Sequence, residues 1–316
     1  MHLEKFKLFC AVLLTLCTMA CSNKELVLKE IKQLESYPSG SAIAWLDNRL
    51  YLAGDDMPYI LVMDKSFRVI DSIPIIAGGN TRIAKETKPD FEAMAAIRYQ
   101  KKTALLLLGS GSKDPYRNQA LIFRKGESTL TFDLDSFYTK VTKEGIPNLN
   151  IEGAAAIPGG ILLSSRGNKR FPKNYLLYAG STFFQPQDSS VFKLIKVGTN
   201  TDTASFSGIS GLEYASKSDK LLLTVSTENT YDSYNDGSIG KSYLWIINDI
   251  TNRKRFSNLN PDRILDLEKL DSRFKGHKIE SVCIVHESKK SMELIFAADN
   301  DQGETWLFRV ELSERF

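Results

Sequence analysis

Residues 150–168 read NIEGAAAIPGGILLSSRGN. A charged residue, Glu152, stands directly before Gly153 and the three alanines Ala154, Ala155 and Ala156. A Pro-Gly-Gly turn then leads into a second apolar run that stops at Ser164, Ser165 and Arg166. The same layout recurs in PSGSAIAWLDNRLYLAGDD from Pro38, DFEAMAAIRYQKKTALLLLGSGS from Asp90, GISGLEYASKSDKLLLTVSTEN from Gly208 and KIESVCIVHESKKSMELIFAADND from Lys278. Each copy has a polar residue, a small residue, a short strand, a polar turn and a second strand. Aligning the polar residues as Ser39, Glu92, Glu152, Ser210 and Glu280 gives spacings of 53, 60, 58 and 70 residues.

Most copies continue into a third strand: YILVMD at 59–64, QALIFRK at 119–125, NYLLYAG at 174–180 and SYLWIIND at 242–249. Weaker fourth strands follow in RVIDSIPI, STLTFDL, VFKLIKV and RILDLEKL. Short runs of Leu, Ile, Val and aromatics between Gly, Asn, Asp and Ser are antiparallel β signals. A repeated four-stranded unit of this length implies an all-β propeller, because each sheet buries its faces only by stacking on its neighbours. The innermost strand must be narrow, which explains Ala42, Ala44, Ala93, Ala95 and Ala96 beside the alanines at 154–156. A pair of β-sandwiches is the competing architecture, but it does not account for a small-residue strand in every copy.

Five blades are expected. The last copy ends at TWLFRVEL, without a fourth strand, while ELVLKEIKQL at 25–34 has no copy of its own. The N-terminal strand therefore completes the last blade and removes two open edges. Six blades is the alternative, if the long fourth unit or residues 137–150 hide extra strands. A short helical turn is expected within 260–274.

Residues 1–20 carry Lys5 and Lys7 before an apolar run from Leu8 to Leu16, a signal-peptide layout too short for a permanent membrane span. LCTMAC, ending at Cys21, resembles a bacterial lipobox with Thr18 in place of the commoner Leu. Lipid on Cys21 would add about 0.8 kcal/mol of membrane affinity per buried CH₂. No Asp follows Cys21, so the expected address is the cell envelope, at the outer membrane, with residues 21–316 forming one domain. Plain secretion after cleavage near Ala20 is the other reading. Of the four cysteines only Cys283 would remain free, in the apolar SVCIV run, as a core residue. With 41 basic and 38 acidic residues, nothing favours nucleic acid. A monomer is expected, with a small molecule or an envelope protein as partner.

In a propeller, the start of each inner strand and the end of each second strand meet at one mouth of the central channel. The first set is Ser39, Glu92, Glu152, Ser210 and Glu280. The second comprises Asp55, Asp56, Ser110, Ser112, Ser165, Arg166, Asn168, Thr227, Glu228, Asn229, Asp299, Asn300 and Asp301. Two carboxylates about 8 Å apart repel by roughly 2 kcal/mol at an effective dielectric near 20, so the ring needs an offset. Calcium, another oxygen-seeking cation, or the basic residues Lys113, Arg117, Arg166, Lys169 and Arg170 could provide it. Alternatively, the polar residues staple neighbouring blades through backbone groups. The ligand-binding candidates are Glu92, Glu152, Ser210, Glu280, Arg166, Asn168, Glu228 and Asn229. The loop RGNKRFPKN at 166–174 could hold an anion or be plain surface, and Tyr231, Tyr234 and Tyr243 could stack on a ligand or cap their loop. His277 is expected to be exposed and idle. No GxSxG, HExxH or phosphate-loop pattern occurs, and GSGS at 109–112 is a Gly-Ser turn.

The Glu-small-apolar starts FEAMAAI, IEGAAAI and IESVCIV, with AADND and SSRGN after second strands, resemble the phytase-like propellers, including the esterase-like phytase and SdiA-regulated groups, over most of residues 38–312. The chain is also similar to a Bacteroidetes-type lipoprotein family. The phytase resemblance implies calcium, with Glu92, Glu152, Glu280, Asp299 and Asp301 as metal and mouth candidates. Two functions follow. One is ligand or partner binding at the acidic mouth. The other is metal-assisted hydrolysis of phosphoesters or lactones, with Glu152 and Glu280 as ligands and Arg166 holding the anion.

Overall fold

A computed structural model of the chain describes residues 25–76, 81–184, 191–198, 206–228, 239–253, 258–300 and 303–313. Strand β1 (Leu26–Leu34) is the outer strand of the blade made last in sequence. Blade 1 is β2 (Gly40–Leu46), β3 (Arg49–Gly54), β4 (Tyr59–Met63) and β5 (Val69–Pro74). Blade 2 is β6 (Phe91–Tyr99), β7 (Lys102–Gly109), β8 (Gln119–Phe123) and β9 (Leu130–Asp133), followed by helix α1 (Asp135–Glu144). Blade 3 is β10 (Ile151–Ile157), β11 (Gly160–Ser165), β12 (Asn174–Gly180) and β13 (Phe192–Val197). In blade 4, β14 (Ser207–Ala215), β15 (Lys220–Glu228) and β16 (Ile239–Ile247) precede β17 (Asn258–Leu259), which crosses to pair in parallel with β13; β18 (Arg263–Asp266) then closes the blade. Blade 5 is β19 (Lys278–Glu287), β20 (Ser291–Asp299) and β21 (Thr305–Ser313), with β1 antiparallel to β21. The five-bladed propeller and its closure by the chain's N-terminal strand are thus as the repeat implies.

The core is divided by the blades. Five apolar clusters fill the five wedges between adjacent sheets. Alternation along each inner strand sends successive side chains to opposite wedges. Ala42 and Ala44 pack toward blade 2 with Met94, whereas Ala93 and Ala95 pack toward blade 3 with Ala154. Larger Leu and Phe fill the wedges farther out. Where an inner strand crowds most, even alanine is too large: a Cβ on Gly153 would lie 2.7 Å from the Leu212 backbone nitrogen.

The segment at 137–150 adds no strand. Its apolar residues Phe137, Tyr138 and Val141 follow helical spacing, and α1 plugs them between blades 2 and 3. Phe137 meets Phe183 edge to face at 5.4 Å, and the Tyr138 hydroxyl donates to the Gly109 carbonyl over 2.8 Å. The expected helical turn in 260–274 is present as α2 (Leu267–Leu270), capped by the Asp266 carboxylate.

Candidate functional site

The five inner strands share one irregularity. The register of each against its second strand slips at a β-bulge, between Gly40 and Ala42, Phe91 and Ala93, Ile151 and Gly153, Ile209 and Gly211, and Ile279 and Ser281. The extra residues are Ser41, Glu92, Glu152, Ser210 and Glu280. The repeat is therefore regular, but the first copy aligns on Ser41 rather than Ser39. Ser39 belongs to a second ring two residues upstream, with Asp90, Asn150 and Lys278. A bulge re-aims a side chain that an unbroken strand would send into a wedge.

Backbone bonds then dock the second-strand ends on that upstream ring. The amide of Asp55 donates to the Ser39 carbonyl (3.1 Å), that of Ser110 to Asp90 (3.0 Å) and that of Arg166 to Asn150 (2.8 Å). Ser39 and Asp90 adopt left-handed backbone conformations to make this turn, with φ of 54° each. The result is an axial cavity of about 480 Å³. Glu92, Glu152, Glu280 and Asp299 all line it, joined by Asp55, Asp56 and Asp90. Glutamates from three distant copies share one opening.

The bulge residues divide by chemistry. The two serines staple blades. Ser41 donates to the Phe91 carbonyl over 2.9 Å and Ser210 to the Ile279 carbonyl over 2.6 Å, so Ser210 is spent on the neighbouring blade and does not line the cavity. The glutamates face the cavity. Glu152 accepts from Asn150 Nδ2 (2.6 Å), and Glu280 pairs with Lys278 Nζ (3.0 Å). Glu92 makes no hydrogen bond or ion pair among the described residues.

Glu92 belongs to the tightest carboxylate group. One oxygen each of Asp55, Asp90 and Glu92 lies within 4.8 Å of the others. The neutralising residues are mostly not those expected. Lys88 Nζ contacts Asp55 Oδ2 and lies 2.8 Å from Asp90 Oδ1. Arg117, which was anticipated, lies 2.6 Å from Asp90 Oδ2 with its side chain only 4% exposed. Ser110 Oγ also donates to Asp90, over 2.5 Å. Arg82 binds Asp56 Oδ2 at 2.7 Å. Burial, reinforced by Asp90, Glu152 and Asp55, pushes the Glu92 carboxyl well above the usual carboxylate range, against the pull of Lys88. Burial likewise raises Asp55, to about 6, although Lys88 opposes it. Asp55 Oδ1 and Asp56 Oδ1 are buried without a partner.

Other candidates lie elsewhere. Arg166 is buried behind Glu152, with Nη1 3.9 Å from Glu152 Oε2 and Nη2 donating to Ser226 Oγ at 3.2 Å. It packs so tightly on Gly208 that a Cβ there would come within 2.6 Å of Nε. Asn168 closes its own loop by accepting from the Phe171 amide at 2.9 Å. Arg170 and Lys173 line a separate pocket, and Lys113 lines a groove against α1. Tyr243 packs on the wedge between blades 3 and 4. His277 is not an idle surface group: it is half-buried, 4.8 Å from the Trp306 ring and 5.2 Å from Phe308, and burial lowers its pKa. Cys21, Asn229, Tyr231, Tyr234, Asp301 and the Glu228 side chain lie outside the described residues.

Sequence reasoning missed Lys88, Arg82 and Lys278. Lys278 and Asp90 carried a legible signal, since each sits two residues before a bulge glutamate. Lys88 and Arg82 come from the loop between blades, where no periodicity points at the axis.

Fold and site together define a five-bladed β-propeller with a polar axial cavity at one mouth. Residues 36–312 match the model of a family of unknown function, DUF6929, and the chain belongs to that family. No curated protein sequence matches it. Among solved structures it is similar to the glutaminyl cyclase of Myxococcus xanthus, at 9% identity and a TM-score of 0.52, covering 91% of this chain and 97% of the other. It is also similar to a candidate exported protein of Bacteroides fragilis, at 8% identity and a TM-score of 0.45 over 91% and 95% of the two chains. A member of the DUF4221 family from Bacteroides vulgatus gives 10% identity and a TM-score of 0.39 over 90% and 98%. At these identities the likeness concerns the fold alone.

Proposed function

We propose that this protein is a cell-envelope binding propeller, anchored to the outer membrane by lipid on Cys21, that takes a small polar ligand in its axial cavity. One observation carries the reading. Glu92, from the bulge of blade 2, faces the cavity without a partner while the carboxylates around it are hydrogen-bonded or paired. A partly buried carboxyl with no internal partner is costly, and a ligand offsets that cost only when bound. The cavity volume of about 480 Å³ falls in the range of small-molecule sites.

The calcium-assisted hydrolase suggested by resemblance fits less well. Calcium seeks six to eight oxygen ligands. Here Lys88 Nζ already stands against two of the three clustered carboxylates, and the donor set is not a calcium cage. Arg166 is held by Ser226 and Gly208 rather than presented to an anion.

Ligand-detected NMR tests the proposal, using a mixture of cationic, neutral and anionic metabolite-sized compounds. Hits are expected with wild type and lost with a Glu92→Gln/Glu152→Gln double variant. Hits of equal strength with both proteins would move the site elsewhere. For the anchor, Cys21→Ser should shift the protein from the membrane to the soluble fraction of cells.

A further inference from the structure

The charges in the cavity do not balance, and the imbalance specifies a ligand. Asp55, Asp90 and Glu92 form one group of three carboxylates. Two buried cations serve it, Lys88 and Arg117. Asp90 is saturated by Lys88, Arg117 and Ser110. Asp55 shares Lys88 through Oδ2 alone. Arg82 and Lys278 are committed to Asp56 and Glu280. Among the described residues no third cation pairs with this group, and the carboxylate left over is Glu92.

The acceptors without donors describe the kind of group that would satisfy them. Glu92 offers two oxygens without partners. Asp55 Oδ1 and Asp56 Oδ1 are buried at the same cavity with no donor, and Asp56 is only 6% exposed. The Asp56 oxygen is an observation independent of the cluster, because Asp56 is not one of its three members. An ammonium has three N–H donors and no acceptor, which suits acceptors that lack donors. A divalent cation would have to evict Lys88 to gather enough oxygens. An anion would add to an unbalanced negative charge, and a neutral molecule would leave it uncompensated.

We propose that the axial cavity binds the primary ammonium group of a small polar molecule, seated on Glu92 beside Asp55 and Asp56. This rests on the binding reading above and adds the ligand's chemistry to it. Burial raises the Glu92 carboxyl well above the usual carboxylate range, so ammonium and proton compete for it and binding weakens as pH falls.

Calorimetry with matched pairs of probes tests this: putrescine against 1,4-butanediol, glucosamine against glucose, and glycinamide against acetamide. The pairs also separate polyamines, amino sugars and peptide N-termini as sources of the amine. The expected result is that at least one amine binds, with its neutral twin at least about tenfold weaker, the equivalent of one charge-assisted hydrogen bond. Glu92→Gln should weaken that amine by about tenfold or more, and Glu92→Asp, which keeps the charge, by less. Repeating the titration at successively lower pH should weaken amine binding in wild type more than in Glu92→Gln.

Neutral twins binding as well as amines, insensitive to Glu92→Gln but lost in Glu152→Gln, would overturn the ammonium assignment and leave the binding cavity standing. Calcium chloride raising the melting temperature while no amine binds at millimolar concentration would overturn it in favour of a metal. Binding indifferent to both variants would remove the cavity reading as well. Melting temperatures of both Glu92 variants at or above that of wild type show that any loss is not unfolding.

Discussion

Lys88→Met removes the ammonium from the carboxylate cluster and keeps most of the apolar stem. In the native protein Lys88 Nζ touches Asp55 and lies 2.8 Å from Asp90, with its side chain 11% exposed. Asp90 retains Arg117 and Ser110, so Asp55 is the residue left bare. Breaking a buried pair by deleting one partner costs about 3–5 kcal/mol, less what the survivor recovers by taking a proton. That recovery makes the loss depend on pH. With Lys88 present, Asp55 titrates at about 6 in the folded chain. Unfolded, it titrates near about 3.9. A carboxyl whose folded pKa is raised binds more protons folded than unfolded, so stability falls as pH rises through the window between the two values. In wild type that fall ends just above pH 6. In the variant the Asp55 pKa moves higher and the fall continues. Between pH 6 and pH 8 the variant should therefore lose a further 2–3 kcal/mol or so relative to wild type. Urea unfolding of both proteins at the two pH values, followed by tryptophan fluorescence, reads this directly. An equal deficit at both, or a deficit below about 1 kcal/mol at pH 8, would refute the placement of Lys88 as the buried counter-ion of Asp55.

Two further outcomes test the packing. Gly211→Ala puts a Cβ 2.7 Å from the Glu280 carbonyl oxygen and 2.9 Å from Ser281 Cα, backbone of the next blade that cannot step aside. It should cost about 1–3 kcal/mol in thermal or urea unfolding. Gly180→Ala, where nothing lies within 4 Å, should cost far less. Cys283 is fully buried, and burial pushes its thiol well above the ordinary range, with Glu213 adding to the effect. It should resist thiol reagents in the native protein and react at once in denaturant; fast native labelling would contradict its place in the wedge between blades 5 and 1.

How much of this was legible differs from residue to residue. Glu92, Glu152 and Glu280 were findable because repetition places equivalent residues at equivalent points around an axis. Ser210 occupies the equivalent point but has a short side chain, which reaches the Ile279 carbonyl of the adjoining blade and goes no farther. Arg166 follows a second strand as Asp55 and Ser110 do, yet its length carries the guanidinium back onto Gly208. Helix α1 was hidden because its buried face is brief: Phe137, Tyr138 and Val141 are too few to stand out as a period. Strand β17 spans only Asn258–Leu259, and it pairs with a neighbouring blade rather than its own.

The amino-acid sequence by itself determined the five sheets, their alanine-rich inner strands and the closure of the last blade by residues 26–34, because hydrophobic period, small-residue placement and turn chemistry are local or repeated properties. Only the tertiary structure decided which cation meets which carboxylate. Lys88 reaches Asp55 across 33 positions, and Ser210 spends its hydroxyl on a residue 69 positions away. Such pairings depend on ångström-scale distances between loops, which a β-bulge of one residue is enough to redirect. Glu92 was left without a partner by that same geometry, and no pattern along the chain distinguishes it from Glu152 or Glu280.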